Sequence, residues 1–101
     1  MSSLIRTVVK KPGLSPEVVE IADELDHWKD IVGGYLEAIP FGNDGIILWC
    51  NEEGKLLGLP ANIVTKYHII VGNVFFTRSD EYGEIGSLTE EDVKMLLSIL
   101  V

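Results

Sequence analysis

The apolar positions of this chain fall into short runs separated by turn-forming residues, which is typical of a sheet built from short strands. Leu4 to Lys10 is rich in β-branched residues and predicts a first strand, and Pro12-Gly13 predicts a turn after it. The next segment is ambiguous: Ser15-Pro16-Glu17 is typical of a helix start, whereas Val18-Val19-Glu20-Ile21 favours a strand. We prefer a short second strand within residues 16–21, because the turn would return it antiparallel to the first.

A first helix is predicted from the spacing of apolar residues in residues 24–32. Leu25, Trp28 and Val32 recur there at i, i+3 and i+7, so that one face of the helix can be buried. Gly33-Gly34 predicts the end of this helix, because one glycine of the pair can take the left-handed conformation that other residues resist.

A final helix is predicted from Thr89 to the end of the chain. Thr89 is the expected N-cap, and the three acidic residues after it complement the positive end of the helix dipole. Residues 93–101 are apolar around almost the whole helix circumference. We therefore expect Met95 and Ile99, which a sheet on one face would leave uncovered, to lie in a contact between subunits.

Three further strands are predicted between the helices. Residues 35–40 and 45–50 form a hairpin whose tight turn is Asp44-Gly45. The second strand of this hairpin is apolar on both faces, which indicates a central strand covered by a helix on one side and by a helix or another subunit on the other. Residues 69–78 form the last long strand, and residues 79–87 form a surface loop.

A polar turn, two glycines and a proline follow the central strand. This segment reads Asn51-Glu52-Glu53-Gly54-Lys55-Leu56-Leu57-Gly58-Leu59-Pro60. Glu53-Gly54 predicts a turn, and Pro60 ends the run so that residues 61–66 form a short helix or loop. The order β-β-α-β-β-β-α predicts one α+β domain over residues 1–101, with a mainly antiparallel sheet of about five strands and two helices.

The composition and net charge of the chain limit the partners and the cellular compartment that we expect. Of the 101 residues 47% are hydrophobic, which favours a compact fold, and the formal net charge is −8. Direct nucleic-acid binding is not expected, because it depends on a basic surface. The start of the chain lacks the apolar region of a signal peptide, and no apolar run approaches the ~20 residues of a membrane span. With Cys50 as the single cysteine, we expect a cytoplasmic protein that contacts no membrane and forms a homo-oligomer.

Catalytic and metal-binding signatures do not emerge from the sequence. His27, His68 and Cys50 are isolated from one another, and Asn51-Glu52-Glu53-Gly54 lacks the residue order of a calcium loop. Cys50 lies in an apolar strand, where burial raises the pKa of a thiol and leaves it unreactive. We therefore expect no metal, no cofactor and no enzymatic activity.

Gly54-Lys55 is similar to the end of a phosphate-binding loop, but the first glycine and the hydroxyl residue of that motif are absent. A weaker hypothesis stays open: backbone N–H groups of the glycine turn, with charge from Lys55 and Arg78, would hold one or two phosphates. Trp49, Tyr67 and Tyr35 would offer rings to a base. The alternative is that this segment is an ordinary hairpin turn and the aromatic residues belong to the core.

Four segments carry a resemblance to a known family. They are residues 30–37 (DIVGGYLE), 50–55 (CNEEGK), 58–62 (GLPAN) and 69–76 (IIVGNVFF). In this order they resemble the family named domain of unknown function 3846, which occurs in bacteriophages, plasmids and conjugative elements of bacteria. The resemblance implies a mobile-element protein in a bacterial cytoplasm, and it carries over no catalytic residues. The final helix is more apolar than the resemblance leads us to expect.

The polar positions within the family resemblance are candidates for a ligand site, and nearby aromatic and basic residues complete it. The predicted ligand-binding residues are Tyr35, Glu37, Trp49, Asn51, Glu52, Lys55, Asn62 and Arg78. Our leading hypothesis is a non-enzymatic accessory protein that counteracts host defence by sequestering a nucleotide-derived signalling molecule. Lys55 and Arg78 would pair with phosphates, Asn51 and Asn62 would read polar edges, and Tyr35 or Trp49 would stack.

An acidic surface supports an alternative function. The protein would then be a protein–protein inhibitor or DNA mimic that blocks a basic host defence protein. The acidic residues of that surface would include Asp23, Glu24, Asp26, Asp80, Glu81 and Glu84.

Overall fold

The computed structural model describes residues 3–42 and 45–100 of the chain. Eight strands and two helices occur in these residues, in the order β-β-α-β-β-β-β-β-β-α. The strands are β1 (Leu4–Lys10), β2 (Glu17–Ala22), β3 (Leu36–Pro40), β4 (Ile46–Asn51), β5 (Ala61–Val64), β6 (Ile69–Val71), β7 (Val74–Ser79) and β8 (Ile85–Gly86); the helices are α1 (Leu25–Val32) and α2 (Glu90–Ile99).

The paired strands in this part of the molecule are all antiparallel. The main sheet has the order β2-β1-β7-β4-β3, and β8 also pairs with β7. β8 lies on the same side of β7 as β1, since β4 occupies the other side at Arg78. β5 and β6 form a separate two-stranded sheet. The protein is therefore an α+β domain with a mainly antiparallel sheet, as predicted, but the main sheet has six strands and a second small sheet is present.

Two adjacent phenylalanines of β7 anchor hydrophobic clusters on opposite faces of the main sheet. Successive side chains of a strand point to opposite faces. Phe75 packs with Trp28 of α1 and Trp49 of β4, whereas Phe76 shares its cluster with Leu96 of α2. Because β4 contributes to both clusters, the predicted central strand is confirmed, with a helix on each of its faces.

The sequence predicts correctly where α1 ends and where α2 begins. Gly33 ends α1 with a φ of 80°, and its N–H donates to the carbonyl of Lys29 at 2.8 Å. The Thr89 hydroxyl accepts the N–H of Asp92 at 3.1 Å, and the Asp92 carboxylate accepts the N–H of Thr89 at 2.9 Å. This reciprocal pair is a capping box at the start of α2.

The antiparallel return of β2 onto β1 and the hairpin of β3 with β4 are also confirmed. Two predicted features lie outside the described residues. They are the Asp44 half of the hairpin turn and Val101, the predicted last residue of the final helix.

Two predictions for residues 61–78 are wrong, and the prediction of a loop over residues 79–87 is incomplete. Residues 61–66 contain β5 rather than a short helix or loop, and the long strand predicted over residues 69–78 is divided into β6 and β7. Gly72 causes the division, because it takes a φ of +76° and a Cβ there would lie 2.7 Å from Cδ1 of Leu59. The predicted loop over residues 79–87 also contains β8.

No helix within residues 3–42 and 45–100 has both the length and the hydropathy needed to cross a membrane.

Candidate functional site

The loop after β4 is a compact turn whose first amide groups bond within the protein. The side-chain oxygen of Asn51 accepts the N–H of Glu53 at 2.8 Å, and its backbone carbonyl accepts the N–H of Gly54 at 3.1 Å. The N–H of Glu52 donates to the carbonyl of Tyr35 at 2.8 Å. These three amides are already engaged within the protein, so they are not available to hold a phosphate.

Gly54 fixes the loop against β6. It is buried, and a Cβ at this position would lie 2.8 Å from Cγ2 of Val71. A larger residue would therefore push the loop away from β6. Lys55 and Leu56, which follow Gly54, are exposed.

A cavity of about 180 Å³ lies between this loop and β6, next to β3 and the end of β4. Four of the predicted ligand-binding residues line it: Glu37, Asn51, Glu52 and Lys55. Thus the structure brings together half of the residues that the sequence analysis selected.

His68 also lines this cavity, although it is not among the ligand-binding residues predicted from the sequence. The turn between β5 and β6 holds it in place. The Thr65 hydroxyl accepts the N–H of His68 at 2.9 Å, and the N–H of Thr65 donates to the carbonyl of His68 at 2.8 Å. A threonine three residues before His68 is a sequence signal for such a turn. It points to the site only when β6 is known to face the loop after β4.

One negative and one positive side chain affect the thiol of Cys50, which lines the cavity. Burial raises the pKa of the Cys50 thiol to about 11. The carboxylate of Glu37, which pairs with Cys50 across β3 and β4, raises this pKa further, whereas the ammonium group of Lys55 lowers it. At neutral pH the thiol is protonated, in agreement with the prediction of an unreactive core cysteine.

Lys55 makes no salt bridge with another residue in the described part of the chain. Its ammonium group is therefore available to an anionic group of a ligand. Glu37 and Glu52 are exposed carboxylates that can accept hydrogen bonds from hydroxyl or amino groups. The cavity thus offers one strong donor beside two acceptors.

Asn51 is the most buried of the four predicted residues at the cavity, with 5% of its surface exposed. Its Nδ2 donates to the carbonyl of Val32 at 3.2 Å, while its Oδ1 accepts from Glu53. Asn51 therefore ties the end of α1 to the loop, and it contributes to the shape of the site rather than a free polar edge.

Trp49 and Tyr35 lie away from the cavity. The Trp49 ring stacks on Phe75 with centroids 6.1 Å apart, and its Nε1–H donates to the Thr77 hydroxyl at 2.8 Å. This places the indole in the core on the α1 face of the sheet. Tyr35 is exposed after α1, where Nζ of Lys29 lies 5.5 Å from the centre of its ring.

Asn62 connects the small sheet to the main sheet. Its Nδ2 donates to the carbonyls of Lys10 at 2.8 Å and Gly72 at 2.7 Å, and its Oδ1 accepts from Nζ of Lys10 at 3.2 Å. A flipped amide would oppose oxygen to both carbonyls and NH₂ to the ammonium group, so this orientation is the only one that chemistry allows. Both ends of the Asn62 amide serve the fold.

Arg78, the second predicted phosphate-binding cation, pairs with Asp92 and does not line the cavity. Its Nε and Nη2 donate to the two carboxylate oxygens of Asp92, each at 2.6 Å. This bidentate geometry links β7 to the first turn of α2.

In residues 3–42 and 45–100, no three side chains of histidine, cysteine, aspartate or glutamate lie close enough together to hold a metal ion.

The fold and the cavity define a small α+β domain with a mixed-charge surface cavity next to its central strands. A comparison with protein families matches residues 5–100 to the domain of unknown function DUF3846. The chain belongs to this family, which confirms the resemblance seen in the sequence. No curated protein and no solved structure matches the chain.

Proposed function

We propose that this protein is a non-enzymatic binding protein that holds a small phosphorylated ligand in the cavity between the loop after β4 and β6. The ligand is a nucleotide-derived signal of host defence, and its sequestration is the function. In this proposal the protein comes from a phage or another mobile element and acts in the bacterial cytoplasm.

The observation that carries the proposal is the grouping of Lys55, Glu37, Glu52 and His68 around one cavity. A lysine without an internal ion pair is suited to a phosphate, and carboxylates are suited to ribose hydroxyls, as in many dinucleotide-binding proteins. The cavity is smaller than the roughly 300–1,000 Å³ usual for small-molecule sites. It therefore fits one sugar-phosphate part of a nucleotide.

The residue roles differ from those assigned from the sequence. Lys55 keeps its role as the phosphate-binding cation, and His68 takes the place of Arg78 as a second donor. Asn62 and Trp49 are left out of the proposal because the fold already uses their polar groups.

Isothermal titration calorimetry with a panel of linear and cyclic nucleotides tests the proposal. We expect at least one compound to bind, and we expect Lys55→Ala to weaken its binding by about tenfold or more, because one charge-assisted hydrogen bond is lost. Lys94→Ala is the matched control: it removes the same charge from the exposed side of α2 and should leave the affinity unchanged.

Native mass spectrometry of protein purified from cells with active nucleotide-signalling defence gives a second readout. A retained mass that matches a nucleotide and is lost in Lys55→Ala would support sequestration. The proposal fails if no compound of the panel binds, or if the affinity of a bound compound is the same for Lys55→Ala and the wild type.

A second candidate is an inhibitor that binds a basic host protein. All six acidic residues named for that surface are exposed, and Asp23, Glu24 and Asp26 stand close together at the start of α1. Capture of a partner from host lysate at low salt, lost at about 1 M salt where the Debye length is only about 3 Å, would favour this function. Capture that is independent of salt would count against it.

We also propose that the protein forms a homo-oligomer, because several large apolar side chains are exposed on the single chain.

A further inference from the structure

A second cavity, of about 200 Å³, lies beside the first on the far side of His68. Ile39, His68 and Ile70 line both cavities. The two are therefore neighbouring parts of one groove, with β3 and β4 on one side and β6 with its preceding turn on the other.

The two parts of the groove differ in chemistry. The first is lined by Glu37, Glu52 and Lys55, whereas the second is lined mainly by apolar groups, which include Phe41 and Leu48. The groove thus has a charged half and an apolar half, with the imidazole of His68 between them.

The aromatic wall of the apolar half is held in a fixed orientation. The Phe41 ring packs edge-on against the fully buried Phe76, with centroids 5.1 Å apart and an interplanar angle of 75°. Backbone bonds support the same wall, since the N–H of Phe41 donates to the carbonyl of Ile46 at 2.8 Å. A ring held in this way can pack against a ligand without a further loss of side-chain freedom.

We propose that the groove binds one nucleoside phosphate unit, with the sugar-phosphate in the charged half and the base in the apolar half against Phe41. This inference rests on the proposed function and specifies its ligand class. Joined, the two cavities reach the lower end of the size usual for small-molecule sites, about 300–1,000 Å³. The base supplies a flat ring for the apolar wall, and His68 donates to the ligand where its two parts meet.

A comparison of ribose 5-phosphate with the four ribonucleoside monophosphates tests the inference on the wild-type protein. We expect at least one mononucleotide to bind about tenfold or more tightly than ribose 5-phosphate, since packing of a base on an aromatic side chain contributes that much. Calorimetry or ligand-observed NMR measures both affinities.

Phe41→Leu removes the ring but keeps an apolar side chain. We expect it to reduce the affinity of the mononucleotide to within a few-fold of that of ribose 5-phosphate, whose own affinity stays the same. Tyr82→Leu is the matched control, because it removes an exposed ring from the turn between β7 and β8. Circular dichroism and thermal unfolding check that both variants fold.

Equal binding of ribose 5-phosphate and all four mononucleotides would overturn the assignment of the apolar half and leave the proposed function standing. Failure of all five compounds to bind would overturn the assignment of a nucleoside phosphate unit to the groove, and the panel of linear and cyclic nucleotides would then decide separately on the proposed function. A tenfold preference for a mononucleotide that Phe41→Leu leaves unchanged would show that the base lies elsewhere. Because the first comparison needs only wild-type protein, an unfolded Phe41→Leu variant does not prevent a decision.

Discussion

At the residue scale, the contact between Gly34 and Asn51 shows how tightly the loop beside the cavity is set. A Cβ at position 34 would lie 2.9 Å from Nδ2 of Asn51. The Asn51 side chain cannot yield freely, because it bonds to both Val32 and Glu53. We expect Gly34→Ala to lower the free energy of unfolding by about 1–3 kcal/mol, as overpacking does in well-packed sites. Urea denaturation measures this change.

A double-mutant cycle separates the contact from other effects. Asn51→Ala alone should also destabilise the protein. In the double variant, however, the methyl group added at position 34 fills the space that the Asn51 amide leaves. The double variant should therefore lose about 1 kcal/mol less stability than the sum of the losses in the two single variants. Gly33→Ala is the control: its cost comes from the φ of +80° and not from a side-chain contact, so it should add to Asn51→Ala within about 0.5 kcal/mol. Additivity of Gly34→Ala with Asn51→Ala would contradict the contact.

At the element scale, one carboxylate joins the start of α2 to β7. Asp92 accepts from Arg78 and from the N–H of Thr89, and these bonds lower its pKa to about 2 despite its burial. A depressed folded-state pKa adds stability that is present above the unfolded pKa, near 4, and is lost as the pH falls toward 2. We expect about 2 kcal/mol of unfolding free energy to disappear across that range. Chemical denaturation at several pH values measures it.

The variant Asp92→Asn tests the origin of this loss. It should be about 2 kcal/mol less stable than the wild type at pH 7, and the difference should shrink as the pH approaches 2. Glu91→Gln removes the same charge from the exposed side of the same turn and should keep the wild-type loss below pH 4. A difference between wild type and Asp92→Asn that does not change with pH would contradict this account.

The elements that the sequence predicts correctly are those with local signals. The capping box of α2 and the glycine that ends α1 depend on residues within one helical turn. β5 has no such signal: its four residues depend on Asn62, whose partners Lys10 and Gly72 are distant in sequence or lie across a turn. These hydrogen bonds to other parts of the fold override the local preference of the segment, which explains the wrong prediction for residues 61–66.

The candidate site follows the same division. Glu37, Glu52 and Lys55 are polar positions in the segments that carry the family resemblance, and they do line one cavity. His68 joins them through the β5–β6 hairpin, so the error about β5 concealed it. The charge of Arg78 suggests a phosphate-binding role, but its ion pair with Asp92 depends on where α2 packs. Residue type alone does not show which polar groups the fold already uses.

At the scale of the whole molecule, five large apolar side chains are exposed on the loop after β4 and on the hairpin of β5 and β6. We call Leu56, Leu57, Val64, Tyr67 and Ile69 the hairpin patch, and each has between 52% and 87% of its surface exposed. Leu56 and Ile69 line the same cavity, and Val64 pairs with Ile69 across the small sheet, so these three side chains are neighbours. Met95 and Ile99, the residues predicted for a subunit contact, are exposed by 38% and 53%. The hairpin patch offers the larger apolar surface to a second copy.

We therefore expect self-association through the hairpin patch, with a salt dependence set by charge. Two copies that each carry a net charge of −8 repel each other, and salt screens this repulsion while it leaves apolar contacts intact. Sedimentation velocity over a range of protein concentrations should show an association that strengthens between about 0.05 and 0.5 M salt. An interface held by ion pairs would weaken over the same range.

Two charge insertions locate the interface. Val64→Glu places a carboxylate in the hairpin patch, where association would bury it without a partner, and should weaken self-association by about tenfold or more. Val64 lines neither part of the ligand groove, so Val64→Glu changes no residue of the proposed ligand site. Met95→Glu makes the same change on α2 and should leave self-association unaltered. If Met95→Glu dissociates the protein and Val64→Glu does not, the subunits meet through α2, and the hairpin patch must then have another occupant.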